Sequence, residues 1–253
     1  MIPTKVALIV FACVFGGTLL GMLLRVVTPE HHLNQDSKEV IKLGMGLVAT
    51  MAALVLGLVV ATAKSSYDTQ DAAVKHTAAK VLLLDRMLAH YGPETKETRD
   101  LLQRIVADRL DAIWPEDRSQ PARLDAPEAA STAKGIEAWI LQLSPQNDAQ
   151  RWLQSRAMQI GSDIMETRWL MLGGPGSSVP LPFLVVVVFW LTIIFGSFGL
   201  FAPRNVTVVV VLFLCALSVA GSIFLILEMD QPFKGLMKIS SAPLRYTLSH
   251  LGQ

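Results

Sequence analysis

Four groups of residues in this 253-residue chain have types and spacings that could do chemistry. The first is His31 and His32, flanked by Glu30 and Asp36. Imidazoles and carboxylates can hold a divalent ion, but adjacent histidines rarely chelate as a fixed pair. The same residues suit a solvated loop in which Asp36 or Ser37 caps the next helix. The second is Glu228 and Asp230, two residues apart at the end of an apolar run. They could pair with Arg168 or Lys234, or lend oxygens to calcium, for which two carboxylates are too few alone. The third is Lys64, Ser65 and Ser66, a cation and two hydroxyls that could attract an anion or serve as a membrane-interface anchor. The fourth is apolar: Leu47, Met51, Leu54 and Leu58 recur at helical spacing. Such a stripe packs on lipid or protein, or forms a constriction that gates ions by dewetting.

Covalent chemistry finds no support. There is no Gly-rich phosphate loop, no Gly-x-Ser-x-Gly elbow and no His-Glu-x-x-His pair. His76, His90 and His250 stand alone. The chain reads as a non-enzyme without a cofactor or a resident metal.

The elements that must position these residues follow from the distribution of charge. Only 17% of residues are charged and 52% are hydrophobic. Residues 6–24, 43–63, 183–201 and 206–227 contain no Asp, Glu, Lys or Arg. Each window is near the ~20 residues that cross ~30 Å of hydrocarbon. This excludes a soluble single-domain enzyme, a disordered chain and a secreted disulfide scaffold. Net charge is +1, so no nucleic-acid partner is indicated. Cys13 and Cys215 fall inside apolar windows and are expected as buried free thiols. The run from Val6 to Leu24 exceeds a signal-peptide core of ~7–15 residues and lacks a small-x-small cleavage site. It is expected to be a retained membrane helix.

The expected division is a first transmembrane pair at 1–63, a helical insert at 64–180, a second pair at 181–228 and a tail at 229–253. Within the insert, Val81, Leu84, Leu88 and Tyr91 share one helix face, and the second membrane helix continues into it until Gly92 and Pro93. A further helix carries Leu102, Ile105, Val106, Arg109 and Ile113. A shorter one carries Ile136, Trp139, Ile140 and Leu143. Ser144 and Pro145 suit an N-cap and first turn for a long helix reaching Leu172. Four crossings place both termini and the insert on one side, with Lys5, Lys64, Lys75, Lys80, Arg168, Lys234, Lys238 and Arg245 near it. The other side has Arg25, Lys38, Lys42 and Arg204. That excess puts the termini and insert in the cytoplasm.

Ion-coupled transporters generally need ionisable groups inside the membrane, and these windows have none. A passive pathway or a non-transporting assembly remains. The second helix is the most patterned. Gly46, Thr50, Ala53, Gly57 and Ala61 fall on one narrow face, beside Leu47, Met51, Leu54 and Leu58. Small residues at that spacing permit close helix approach.

Three stretches carry a resemblance: PEHHLNQDSKEVIKLGMGLVATMAALVLGLVVATAKSSYDTQ from Pro29 to Gln70, FGSFGLFAPRN from Phe195 to Asn205, and LEMDQPFKGLMKISSAPL from Leu227 to Leu244. Together they resemble the prokaryotic membrane proteins called bestrophin-like. The resemblance implies four membrane segments, a cytosolic insert between the second and third, and cytosolic termini in a prokaryotic inner membrane. It also implies pentamers around a pore lined by the second helix, conducting chloride or other anions. Carried over, Leu47, Met51, Leu54 and Leu58 would form the neck, with Lys64, Ser65 and Ser66 at the pore mouth. The chain departs from bestrophins in two places. Residues 43–63 contain none of the aromatics of the bestrophin neck, and only Glu228 and Asp230 stand where animal members carry a dense acidic calcium clasp.

The fold expected is thus all-α: a polytopic membrane protein with four transmembrane helices and a cytosolic helical bundle between the second and third. The expected function is a passive, anion-conducting channel formed by a homo-oligomer in a lipid bilayer. The alternative is a non-conducting scaffold or sensor whose bundle binds a partner. A continuous axial lumen distinguishes the two.

Overall fold

The computed structural model describes residues 3–27, 35–115, 137–173, 180–203 and 205–253. Glu30, His31, His32 and Ile136 lie outside the described residues, as does most of the proline-rich stretch before α4. All regular structure among the described residues is helical. The order is α1 (Pro3–Val27), α2 (Gln35–Tyr91), a 3-10 turn (Pro93–Thr95), α3 (Lys96–Ile113), α4 (137–142), α5 (Asp148–Gly173), α6 (Leu181–Phe201), α7 (Val206–Met229) and α8 (Ala242–His250). Four of these helices are long and apolar enough to cross a membrane: α1, α2, α6 and α7. The chain divides into two compact units, Met1–Ser66 with Ser177–Gln231, and Tyr67–Gly176 with Pro232–Gln253. The division falls inside α2, a continuous helix of 57 residues.

In the first unit α1 packs on α6 and α7. Val6, Val10 and Val14 recur every four residues and are buried with Leu184, Phe195, Ala216 and Ile223. Phe11, Phe15 and Phe213 stack and meet edge-to-face, with centroids 5.3–5.7 Å apart. The α1–α6 crossing depends on glycine. A Cβ on Gly21 would collide with the carbonyl oxygen of Gly196, and one on Gly199 with that of Thr18. At Gly17 it would stand 2.8 Å from the Thr192 carbonyl oxygen. The absence of side chains lets the backbones touch, which supplies the dispersion contact that holds helices together in lipid. Thr18 and Thr192 donate their hydroxyls to Val14 and Val188 one turn back, so neither leaves an unbonded donor in the hydrocarbon. Asn205 caps α7 by accepting from the Thr207 amide at 3.2 Å.

The cysteines correct an expectation. Cys13 and Cys215 are both exposed on their helices rather than buried. A lipid-facing surface is itself apolar, so a weakly polar thiol need not point into protein to escape water.

The second unit has a conventional apolar core. Val81, Leu84 and Leu88 of α2 pack with Leu102 and Val106 of α3, Ile140 of α4 and Ala157 and Ile160 of α5. Gly92 stops α2 with a positive φ of 146°, a backbone conformation that disfavours any side chain. Thr95 then donates to the Leu88 carbonyl at 2.6 Å, satisfying one of the helix's terminal acceptors. The long helix α5 begins at Asp148 rather than at Ser144–Pro145, because Asn147 is the residue whose side chain accepts the Gln150 amide, at 2.8 Å. The C-terminal residues belong to this unit. Phe233 and Ile239 are buried with Val74, and the Trp114 indole donates to the Ile239 carbonyl at 2.8 Å. Leu251 enters the main core, and the Thr247 hydroxyl donates to Ala78.

Candidate functional site

The membrane stretch of α2 carries the residues that the sequence singles out for a pore. Its most apolar window is only 11% buried, against 22–33% for the windows of α1, α6 and α7. Its inner face is narrow: Ala52, Val59 and Ala63 are buried, the last two clustering with Ile226 of α7. Leu47, Met51, Leu54 and Leu58 are 64%, 47%, 76% and 60% exposed. At ~100° per residue this stripe lies roughly 130° around the helix from the buried line. Gly46, Thr50, Ala53, Gly57 and Ala61 are also exposed, and a Cβ at Gly46 or Gly57 would meet nothing within 4 Å. Gly46 also borders a groove against α6 and α7; the rest of the small stripe and the large stripe share the half of α2 turned away from the described helices of its own chain.

The chemistry available on that half is sparse. Thr50 donates its hydroxyl to the Leu47 carbonyl at 2.8 Å, and Thr62 donates to Leu58 at 2.9 Å. Both hydroxyl protons are committed to the helix itself, leaving the apolar side chains as the main surface. A lining of that kind offers an ion no replacement for its water shell. Lys64 and Ser65 are exposed where the stripe ends, and both take part in further polar interactions. Glu228 is buried at the end of α7 and Asp230 caps that helix.

Two features of the second unit escape a reading by periodicity. Asp85, fully buried on the apolar face of α2, accepts both arms of Arg99 at 2.8 and 3.0 Å. The Gly252 amide donates to the same carboxylate at 3.4 Å, and Arg99 reaches the Gln253 carbonyl at 3.4 Å. The hydrogen bonds that Arg99 donates to the Asp85 carboxylate hold its guanidinium above its ordinary range. The only signal in the sequence is an acidic residue between Leu84 and Leu88. Arg109 and Arg168 are the other feature, two half-buried cations on α3 and α5. Burial first, and then the neighbouring Arg168, pull Arg109 down to about 10; burial also lowers Arg168. The glycine crossing of α1 on α6 was readable as Gly17-x-x-x-Gly21 inside an apolar window.

Four membrane-length helices, one running on into a second helical unit, define an all-helical integral membrane protein. Residues 12–244 match the Bestrophin-like domain family, and the chain belongs to that family. Its fold is similar to the crystal structure of a substituted bacterial bestrophin homolog from Klebsiella pneumoniae, with a TM-score of 0.65. That likeness covers 95% of this chain and 99% of the other at 14% identity, so it speaks to the fold alone. No curated protein matches the chain.

Proposed function

We propose that this chain is a passive ion channel, anion-conducting, built as a homo-oligomer with α2 of each subunit lining an axial pore. Family membership supports the channel class. The observation that carries the pore assignment is the half of α2 bearing Leu47, Met51, Leu54 and Leu58, which its own chain leaves uncovered. In this reading the small stripe receives a neighbouring subunit and the leucine stripe faces the axis. Leu47, Met51, Leu54 and Leu58 form a dry neck, and Lys64, Ser65 and Ser66 ring its mouth. The ring of lysines biases passage towards anions such as chloride. The protein lies in the inner membrane with both termini and the insert in the cytoplasm, as the lysine and arginine excess directs. It carries no catalysis and needs no cofactor.

The deciding experiment is a density map of the purified oligomer, from which symmetry and the radius along the axis are read. A closed ring, pentameric if the family's arrangement carries over, with a lumen flanked by α2 supports the channel. A closed ring whose centre is filled by packed helices contradicts it and leaves a scaffold.

A further inference from the structure

We infer that the first unit holds a phospholipid with a net anionic headgroup, one acyl chain lying in a groove between α2 and the α6–α7 hairpin. The groove arises because α2 does not run evenly along α7. Around Val55, Val59 and Ala63 it packs on Ile226 and Met229. At the other end, from Lys42 to Ala49, it stands off and leaves a groove of about 530 Å³. The far wall is Phe198, Phe201 and Leu212 with their apolar neighbours, and among the described residues Ser197 is the one uncharged polar side chain in the lining. Lys42 and Ala49 are seven residues apart, so the groove runs ~10 Å along the helix at ~1.5 Å per residue.

Among the described residues, charge is confined to one end. Lys42 lines the rim, and Arg25 donates a hydrogen bond to the carbonyl of Ala202, another rim residue. Lys42 and, through Ala202, Arg25 thus put two cations at the mouth of an apolar slot, and among the described residues no acidic one lines it. Within hydrocarbon such a gap is filled by apolar matter, because water there would lack hydrogen-bond partners. An acyl chain matches the walls, and a phosphate-bearing headgroup matches Lys42 and Arg25. Coulombic attraction between the two cations and a net negative headgroup supplies the preference. A zwitterionic lipid fits the slot equally but gains less from the rim. A side chain of a second copy could fill the slot but would leave the cations unmatched.

The full-length protein, purified in detergent, is incubated with equal amounts of phosphatidylglycerol and phosphatidylcholine carrying identical acyl chains. Native mass spectrometry then counts retained lipid per subunit. Wild type should retain phosphatidylglycerol over phosphatidylcholine by about fivefold, the worth of one well-placed cation. Lys42→Gln should lower that ratio at least about twofold, Arg25 remaining, while lipid is still retained. Ala49→Phe should fill the slot and remove both lipids without changing the thermal midpoint or the subunit count. Equal retention of the two lipids by wild type overturns the proposal, as does retention indifferent to Ala49→Phe. A lipid-free wild type whose oligomer is broken by Ala49→Phe assigns the slot to a second copy, and also overturns it. Should Ala49→Phe fail to fold, the wild-type ratio and its response to Lys42→Gln decide the matter.

Discussion

α1 and α2 both carry a stripe of small residues through an apolar segment, and the two stripes meet different fates. On α1, Gly17 and Gly21 are pressed against the backbone of α6, where a Cβ would strike a carbonyl oxygen. On α2, a Cβ at Gly57 would look onto open space, and one at Gly46 onto the groove beside α6 and α7, with nothing within 4 Å of either. The same pattern thus marks a surface made for close approach without naming the partner. For α1 the partner is α6 of the same chain. For α2 the surface is left over, beside a leucine stripe that is also left over. An assembly of several copies would give both stripes of α2 a partner, and the pore proposal rests on that difference.

The comparison breaks most sharply at Gly21. Gly21→Leu forces the α1 and α6 backbones apart, a heavier insult than the ~1–3 kcal/mol typical of an overpacked core. It should abolish recovery of folded protein, read as loss of the monodisperse peak in size-exclusion chromatography, and Gly199→Leu should do the same. Normal recovery of Gly21→Leu would show that the crossing is looser than the structure has it.

Further along α2 the contrast is with a part of the same helix that is closed. Asp85→Ala leaves the Arg99 guanidinium in the second unit without its carboxylate, and removing one member of a buried pair costs ~3–5 kcal/mol. Chemical denaturation should report that loss. Replacing Asp85 and Arg99 together by Leu and Met should return much of it, since the pair's desolvation then disappears as well. A loss under ~1 kcal/mol in the single variant would mean that the pair behaves as a surface ion pair.

Gly57→Leu is the milder counterpart of Gly21→Leu. It meets nothing in its own chain and should leave the monomer folded, while weakening assembly by ~1–3 kcal/mol through overpacking between copies. Subunit counts measured against protein concentration should shift towards smaller species. Unchanged assembly and stability would turn this face towards lipid.

How much of this was legible in the sequence follows the strength of each physical signal. The membrane helices announce themselves because a charged residue in hydrocarbon is costly, so the charge-free windows lie within the observed helices. The run of α2 into the second unit was readable from Val81, Leu84, Leu88 and Tyr91, and its stop from Gly92 and Pro93. The start of α5 was not, because Ser144–Pro145 and Asn147 compete as caps and only geometry chooses between them. The pairing of Asp85 with Arg99 crosses the Gly92 turn, beyond the reach of helical spacing rules. The docking of Phe233, Ile239 and Leu251 was equally hidden, since single apolar residues in a short polar tail carry no period. The small and large stripes of α2 were visible, but not which side of the helix faced its own chain. Ala52, Val59 and Ala63 are apolar, but less so than the leucines opposite, so hydropathy alone would have put the buried face on the wrong side of the helix.

The central claim, that the uncovered half of α2 lines a conducting axis, is tested most directly by ion flux through purified protein in liposomes. The comparison is wild type against Leu54→Ser and Met51→Ala, with Lys64→Glu made on the Leu54→Ser background. A hydroxyl or a smaller side chain in the neck offers water a foothold, so both neck variants should raise flux several-fold with the oligomer intact. Lys64→Glu should then lower anion permeability relative to cation permeability. Flux that ignores every one of these substitutions would place the pore on another surface. No flux from any of the four proteins, with the oligomer preserved, would contradict the channel itself.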